Sequence, residues 1–283
     1  MPARPTSPRP LRALPALPAL AALCVLGLGL GFAAPASADE TLLLLGEVHD
    51  NPDGHRARFA LLQARVDAGW RPAIAMEQFD RERQPDLDRA QRECKDAACV
   101  VAMAAPPKAG WNWDLYAPVI DLALREHLPL YAANLSRADA GAIIEHGYDR
   151  EIPPEVLQPQ VEEVRAGHCG MLPEEMLAPM ATAQIARDIA MADVMAAHAE
   201  HGIVLIAGNG HVRRDIAVPY WLRARGLAST AVGFVESADD DARFDRSEVV
   251  PAFARPDPCA KVHAPGAAAA FRGAPRAFAR QGA

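Results

Sequence analysis

Positive charge is scarce through most of this chain. The 283 residues carry a formal charge of −7, but the stretch 39–254 alone holds 21 Lys and Arg against 35 Asp and Glu, a net of −14. Affinity for nucleic acid rests on clustered Lys and Arg that neutralise phosphates, so a nucleic-acid partner is excluded. The longest apolar run, from about Ala19 to Ala34, falls short of the ~20 residues that a comfortable membrane span needs. No internal repeat is visible at the spacing of a solenoid or propeller. HExxH and GxSxG are both missing, and no nucleophile can be identified, so the familiar zinc-peptidase and serine-hydrolase signatures are absent.

Cysteine is also sparse, at five residues. No paired CxxC suggests a zinc site, and no CxxCH offers covalent haem attachment. Cys24 follows Leu23, where a lipoprotein signal wants Gly, Ala or Ser, so lipidation there is not expected. The other four, Cys94, Cys99, Cys169 and Cys259, allow three connectivities. The four intervening residues make a local Cys94–Cys99 clasp the first choice. Cys169 with Cys259 would then fasten the tail to the body.

What is present divides the chain into three parts. Residues 1–38 hold seven of the 25 prolines, with Arg4, Arg9 and Arg12 ahead of the apolar run and Ala36-Ser37-Ala38 behind it. Basic start, apolar centre and small residues before a cleavage point describe a secretory signal. The product is expected in the periplasm or at the cell surface. An even cysteine count suits such an oxidising compartment. The body is expected over 39–254. From 255 onward Ala, Pro, Gly and Arg follow one another without periodicity, and no order is expected.

Within the body, short apolar runs alternate with longer helical stretches, which predicts an α/β fold. A largely parallel sheet should be flanked by helices, with a helical insertion between about 138 and 200. The strands are expected at Thr41–Leu45, Ala73–Met76, Leu128–Ala132, Ile203–Ala207 and Ser229–Val235. Asn51 or Asp53 should cap the first helix, Asp114 a later one through Glu126, and Pro219 should open the last. A long helix is expected from about Ala178 to His198.

Two strand-ending sequences share the form G-x-x-H, Gly46-Glu47-Val48-His49 and Gly208-Asn209-Gly210-His211, and Glu77 ends another strand. Loops after the carboxyl ends of parallel strands line the ligand crevice. Glu47, His49, Glu77, Asn134 and His211 should therefore gather on one edge, with His55 facing it. His127, His146, His198 and His201 read as solvated. Met171, Met176, Met180, Met191 and Met195 could floor a flat apolar ligand, though core packing is the simpler account.

Gly46-Glu47-Val48-His49-Asp50-Asn51-Pro52 followed by His55 resembles the opening signature of the ChaN-like haem-binding uptake proteins. Met76-Glu77-Gln78-Phe79, Trp113-Asp114 with Tyr116-Ala117-Pro118, Ala132 to Arg137, His168-Cys169-Gly170, Ala186-Arg187-Asp188 and Gly208 to Arg213 resemble it too, in order, across about 46–220. Gly54 departs from the pattern, since relatives often place a second histidine there. The resemblance implies non-covalent haem binding, with two stacked haems across a homodimer and an outer-membrane haem receptor as partner. It implies a tyrosine on the iron, with histidines and basic groups on the propionates. Of Tyr116, Tyr131, Tyr148 and Tyr220, the family-like segment favours Tyr116. His49, His55, His168, His211 and Arg213 complete the expected set, with Arg214, Arg56 and Arg58 close by in sequence.

The family is similar to a wider group that includes erythromycin esterases and the TraB and Tiki proteins. That wider likeness implies an alternative, a hydrolase in which Glu47 or Glu77 serves as general base. His49 and His211 would then act as bases or, with Glu77, as metal ligands.

Overall fold

The computed structural model describes Met1 and residues 41–107, 110–257, 259 and 260. The leader read over 1–38, Met1 apart, lies outside the described residues, as does the tail from 261. No helix among the described residues is long and apolar enough to cross a membrane.

Strand β1 (Leu42–Leu45) is four consecutive leucines, all buried. Leu43 and Leu45 enter one core and Leu42 and Leu44 the other. A strand covered on both faces needs such an unbroken apolar run, as parallel sheets with helices on each side do. Helix α1 (Pro52–Asp67) follows. Its N-cap is Asn51, whose Oδ1 accepts the Gly54 amide at 3.0 Å. β2 (Ala73–Asp80) runs past its expected end at Met76 and carries Glu77 within it.

Helices α2 (Gln84–Glu93) and α3 (Ala97–Ala104) come next, with the Cys94–Cys99 disulfide between them. Asp114 does not cap the next helix. It lies in a 3-10 turn at Trp113–Leu115, and α4 (Ala117–Glu126) begins beyond Tyr116, with a proline in its first turn. β3 (Leu130–Asn134) then adds to β2.

The insertion consists of α5 (Arg137–His146), α6 (Pro154–Gly167) and α7 (Glu174–Ala197). α7 starts earlier than expected, enclosing Pro179. It has two tasks. Its C-terminal half packs Met191, Ala192 and Met195 onto the sheet, while Ile185 and Ile189 join Val156 of α6 in a smaller core. Met191 and Met195 are thus core residues and floor no ligand; Met171 is exposed. His198 is not simply solvated, because its ring stacks on Tyr131 with centroids 3.7 Å apart.

β4 (Ile203–Ile206), α8 (Val218–Arg223), β5 (Thr230–Val235) and β6 (Arg246–Val249) complete the chain order. All six strands are parallel, in the order β3-β2-β4-β1-β5-β6. β6, an edge strand of sequence Arg-Ser-Glu-Val, has no apolar run and gave no signal. The opposite edge, β3, is closed by side chains. Gln91 accepts the Leu130 amide at 2.7 Å and donates back to its carbonyl at 3.1 Å, and Gln84 accepts the Ala132 amide at 2.7 Å.

The stretch expected to lack order from 255 is placed at its start. Arg255 bonds Asp50 and Glu236, and Cys259 is joined to Cys169. Both disulfides have the pairing expected from spacing.

Candidate functional site

β2, β4 and β1 are neighbours at the centre of the sheet, so the loops at their carboxyl ends meet. This places Glu77, the Gly208–His211 segment and the Glu47–His49 segment together, as the sequence pattern predicts. Gly208 lets the His49 ring lie close against the backbone of this loop. A Cβ there would stand 2.7 Å from His49 Cε1 and 2.9 Å from its Nε2.

Two groups of side chains result. In the first, Glu47 is buried and forms an ion pair with Arg58 of α1, whose side chain is also wholly buried. Tyr116 donates its hydroxyl to Glu47 Oε1 at 2.5 Å, and His49 Nδ1 lies 3.0 Å from the same oxygen. His55 is buried, with Nδ1 2.9 Å from the Arg58 guanidinium and Nε2 3.1 Å from the His49 carbonyl. Its Nδ1 also lies 3.2 Å from the Leu115 carbonyl, so no single neutral tautomer satisfies all three contacts. Burial pushes its pKa down, against the two backbone carbonyls.

Tyr116 has no exposed surface, and burial raises its pKa strongly against the opposing charge of Arg58. It donates internally to Glu47. His55 is likewise enclosed, and Glu47 is held by both Arg58 and Tyr116. His49 alone of this group opens to solvent, with its side chain about half exposed and its ring edge against Trp111.

The second group centres on His211. Its Nδ1 is 2.7 Å from Oδ1 of Asp188 on α7, and its Nε2 is 3.5 Å from Glu77 Oε1. Glu77 Oε2 accepts the Gly208 amide at 2.8 Å. Burial alone would lower the His211 pKa, but Glu77 and Asp188 outweigh it and hold the ring's pKa up. Glu77 is also buried, yet His211 and His49 bring its pKa below the usual carboxylate value. Asp188 is pushed up to about 6 by burial, against the pull of His211. Asp188 was present in the sequence only as part of a family-like segment. Its sole local signal is a carboxylate beside Arg187 at the head of an apolar helical stretch, Ile189 to Ala192.

His168, His211 and Arg213 line one cleft of about 240 Å³ with Asp188, Gln160 and Gln184. His168 Nδ1 bonds the Val164 carbonyl at 2.8 Å. Arg213 is bound by Glu163 and by both oxygens of Asp215, so its charge is already balanced. Asn134 accepts from Arg187 at 2.8 Å. The expected haem residues therefore fall into two sets, Tyr116 with His49 and His55, and His168 with His211 and Arg213. Among the described residues, no three of His, Cys, Asp and Glu are grouped to hold a metal ion, and His49, His211 and Glu77 are not such a set.

A third feature lies in the insertion, where Tyr148 and Arg150 line a groove of about 450 Å³ with Ile143, Ile152, Leu157 and Pro179. Burial raises the Tyr148 pKa, and Arg150 partly opposes this.

No curated protein matches this sequence. Among solved structures, the one described as cofacial heme binding to ChaN of Campylobacter jejuni superposes with a TM-score of 0.66 and 21% identity, over 74% of this chain and 87% of that one. An erythromycin esterase mutant in its open conformation gives 0.44 and 14%, over 69% and 70%. The first likeness shows the fold. Residues 33–222 match the family described as haem-binding uptake, Tiki superfamily, ChaN. That match spans more than half of the sequence and both G-x-x-H loops: the chain belongs to the ChaN family of haem-binding uptake proteins.

Proposed function

We propose that this chain is an exported protein that holds haem non-covalently for iron uptake. The observation that carries the reading is the family match across 33–222. The secretory signal read over 1–38 supports export to the periplasm or cell surface, with 39–254 as the haem-binding body. A second copy sharing stacked haems and an outer-membrane receptor are the partners proposed with it.

Haem needs apolar walls, an iron donor and cations for its propionates. The Tyr148 groove offers isoleucines, leucine and proline as walls, a phenol, and Arg150, which stands 3.5 Å from Asp193. Tyr116 offers none while it is enclosed. We therefore place the iron donor at Tyr148, where tyrosinate would supply a hard oxygen ligand suited to ferric haem. Arg150 is suited to pair with a propionate through two parallel hydrogen bonds.

Titration of the protein with haemin tests this. A shifted Soret band and a tyrosinate charge-transfer feature are expected, and Tyr148→Phe should abolish the latter. Absence of saturable binding would overturn the haem reading. Saturable binding with the feature intact in Tyr148→Phe would overturn the placement alone.

A hydrolase remains the second reading, favoured by one observation, the pairing of buried Asp188 with His211 on the wall of a cleft. In it, Asp188 orients an imidazole that moves protons for a small polar substrate. An esterase and peptidase screen of wild type against His211→Ala decides it; equal rates remove this cleft from consideration.

A further inference from the structure

Helix α6 ends in a turn that an ordinary side chain resists. The Cys169 amide donates to the Ala166 carbonyl at 3.0 Å, and the Gly170 amide to the Arg165 carbonyl at 2.9 Å. Such a pattern closes a helix through one left-handed residue, a place that glycine usually takes. Here Cys169 takes it, at a φ of 56°, and His127 is the only other non-glycine residue with positive φ among those described. A Cβ makes this conformation costly, so it persists where the surroundings over-determine it. The disulfide to Cys259, ninety positions on, is such a constraint.

Cys259 is itself held through Arg255. That guanidinium bonds both oxygens of Asp50, at 2.8 and 2.9 Å, and both oxygens of Glu236, at 2.7 and 2.8 Å. Asp50 follows β1 and Glu236 follows β5. The disulfide therefore ties the turn after α6 to the carboxyl edge of the sheet.

The same turn carries His168, which lines the His211 cleft. Its Nδ1 lies 2.8 Å from the Val164 carbonyl. A carbonyl can only accept, so the neutral ring keeps its proton on Nδ1 and leaves a lone pair on Nε2.

We propose that the Cys169–Cys259 disulfide is an oxidative latch, which sets His168 as an acceptor at this cleft only in the oxidised chain. To close it, the two thiols pass two electrons and two protons to a disulfide oxidant such as glutathione disulfide. The oxidant's S–S bond breaks, leaving two thiols, as the Cys169–Cys259 bond forms. With the latch open, Cys169 leaves the left-handed region, the Gly170–Arg165 bond is lost and His168 has no fixed place. Under the export reading, the latch closes once the chain has left the cytoplasm. The latch itself does not depend on haem.

Hydrogen exchange of the full chain, read by mass spectrometry over residues 165–172, tests this. Exchange there should quicken roughly tenfold or more when a dithiol reduces the protein, and slow again with glutathione disulfide. Cys259→Ala should exchange like the reduced chain. Cys169→Gly combined with Cys259→Ala should recover slow exchange without a disulfide, because glycine enters the left-handed region freely. Cys94→Ala with Cys99→Ala should keep both the slow exchange and its response to reduction, which assigns the effect to the other bridge. Ring nitrogen shifts of His168 should show the Nδ1–H tautomer in the oxidised chain and lose it in Cys259→Ala. Equal exchange in the two redox states would overturn the latch. So would quickening spread evenly over the whole chain, fast exchange in the glycine variant, or an unchanged His168 tautomer in Cys259→Ala.

Discussion

Arg58 and Glu47 form an ion pair in which neither side chain has any surface exposed to water. Burial brings the Arg58 guanidinium down to about 10, against the raising influence of Tyr116 and Glu77, so it stays charged at neutral pH. Such a pair is a poor source of net stability but is costly to break, because the survivor is left as an uncompensated buried charge. Arg58→Met should therefore destabilise the fold by about 3–5 kcal/mol. The double variant Arg58→Met with Glu47→Leu should recover part of that loss. Urea denaturation of the single and double variants measures both, and equal stability of wild type and Arg58→Met would contradict the pairing.

Tyr116→Phe separates the structural tyrosine from the proposed ligand. The substitution removes a hydroxyl that donates to a buried carboxylate, and a hydrogen bond to a charged group is worth about 1.5–3 kcal/mol. A loss of that size is expected in the unfolding free energy, read from the shift of the denaturation midpoint. The haemin charge-transfer feature should persist, since this ring is enclosed and not at a ligand groove. Its disappearance from a folded Tyr116→Phe protein would show that the buried phenol is reached by iron after all.

His211 predicts a pH dependence whose sign follows from its two carboxylates. Its pKa is higher in the folded chain than in an unfolded one. Its contribution to stability is thus complete below about 6.5 and is lost as pH rises through the raised folded value. Asp188 acts in the same sense, because a carboxyl held at about 6 penalises the folded state as it ionises. Glu77 has the opposite sign, with a lowered pKa, and its share is lost as acid protonates it. Replacing His211 by Gln should flatten the decline above neutrality. Thermal melts of both proteins across pH 5 to 9 would show this as a gap that narrows toward alkaline pH.

The central strands were legible because a buried parallel strand must be apolar on both faces, as Leu42–Leu45 and Ile203–Ile206 are. The gathering of Glu47, His49, Glu77 and His211 followed from that, since parallel strands bring their carboxyl ends to one edge. Enclosure was not legible. Tyr116 sits in a family-like segment, and nothing in its neighbours says that its hydroxyl points inward at Glu47, sixty-nine positions away. Asp188 joins His211 only because α7 crosses from the insertion onto the sheet, a tertiary relationship with no local periodicity. β6 escaped notice for a simpler reason: an exposed edge strand has no apolar pattern to show.

The glutamines along β3 make the last prediction. An edge strand presents unpaired amides and carbonyls, a template for association with another chain. Here Gln91 occupies both groups of Leu130 and Gln84 occupies the Ala132 amide, so two side chains of α2 stand in for a neighbouring strand. Replacing both by Ala keeps helix propensity high while exposing those backbone groups. The double variant should lose about 1–3 kcal/mol and, more tellingly, should form concentration-dependent oligomers on gentle warming. Replacing both by Glu tests the same point from the other side, because Glu can accept from the amides but cannot donate to the Leu130 carbonyl. Its behaviour should fall between wild type and the Ala variant. Light scattering against temperature, read beside circular dichroism, distinguishes edge pairing from global unfolding. If the Ala variant stays monomeric until it unfolds, Gln84 and Gln91 contribute hydrogen bonds alone and the edge is protected by other means.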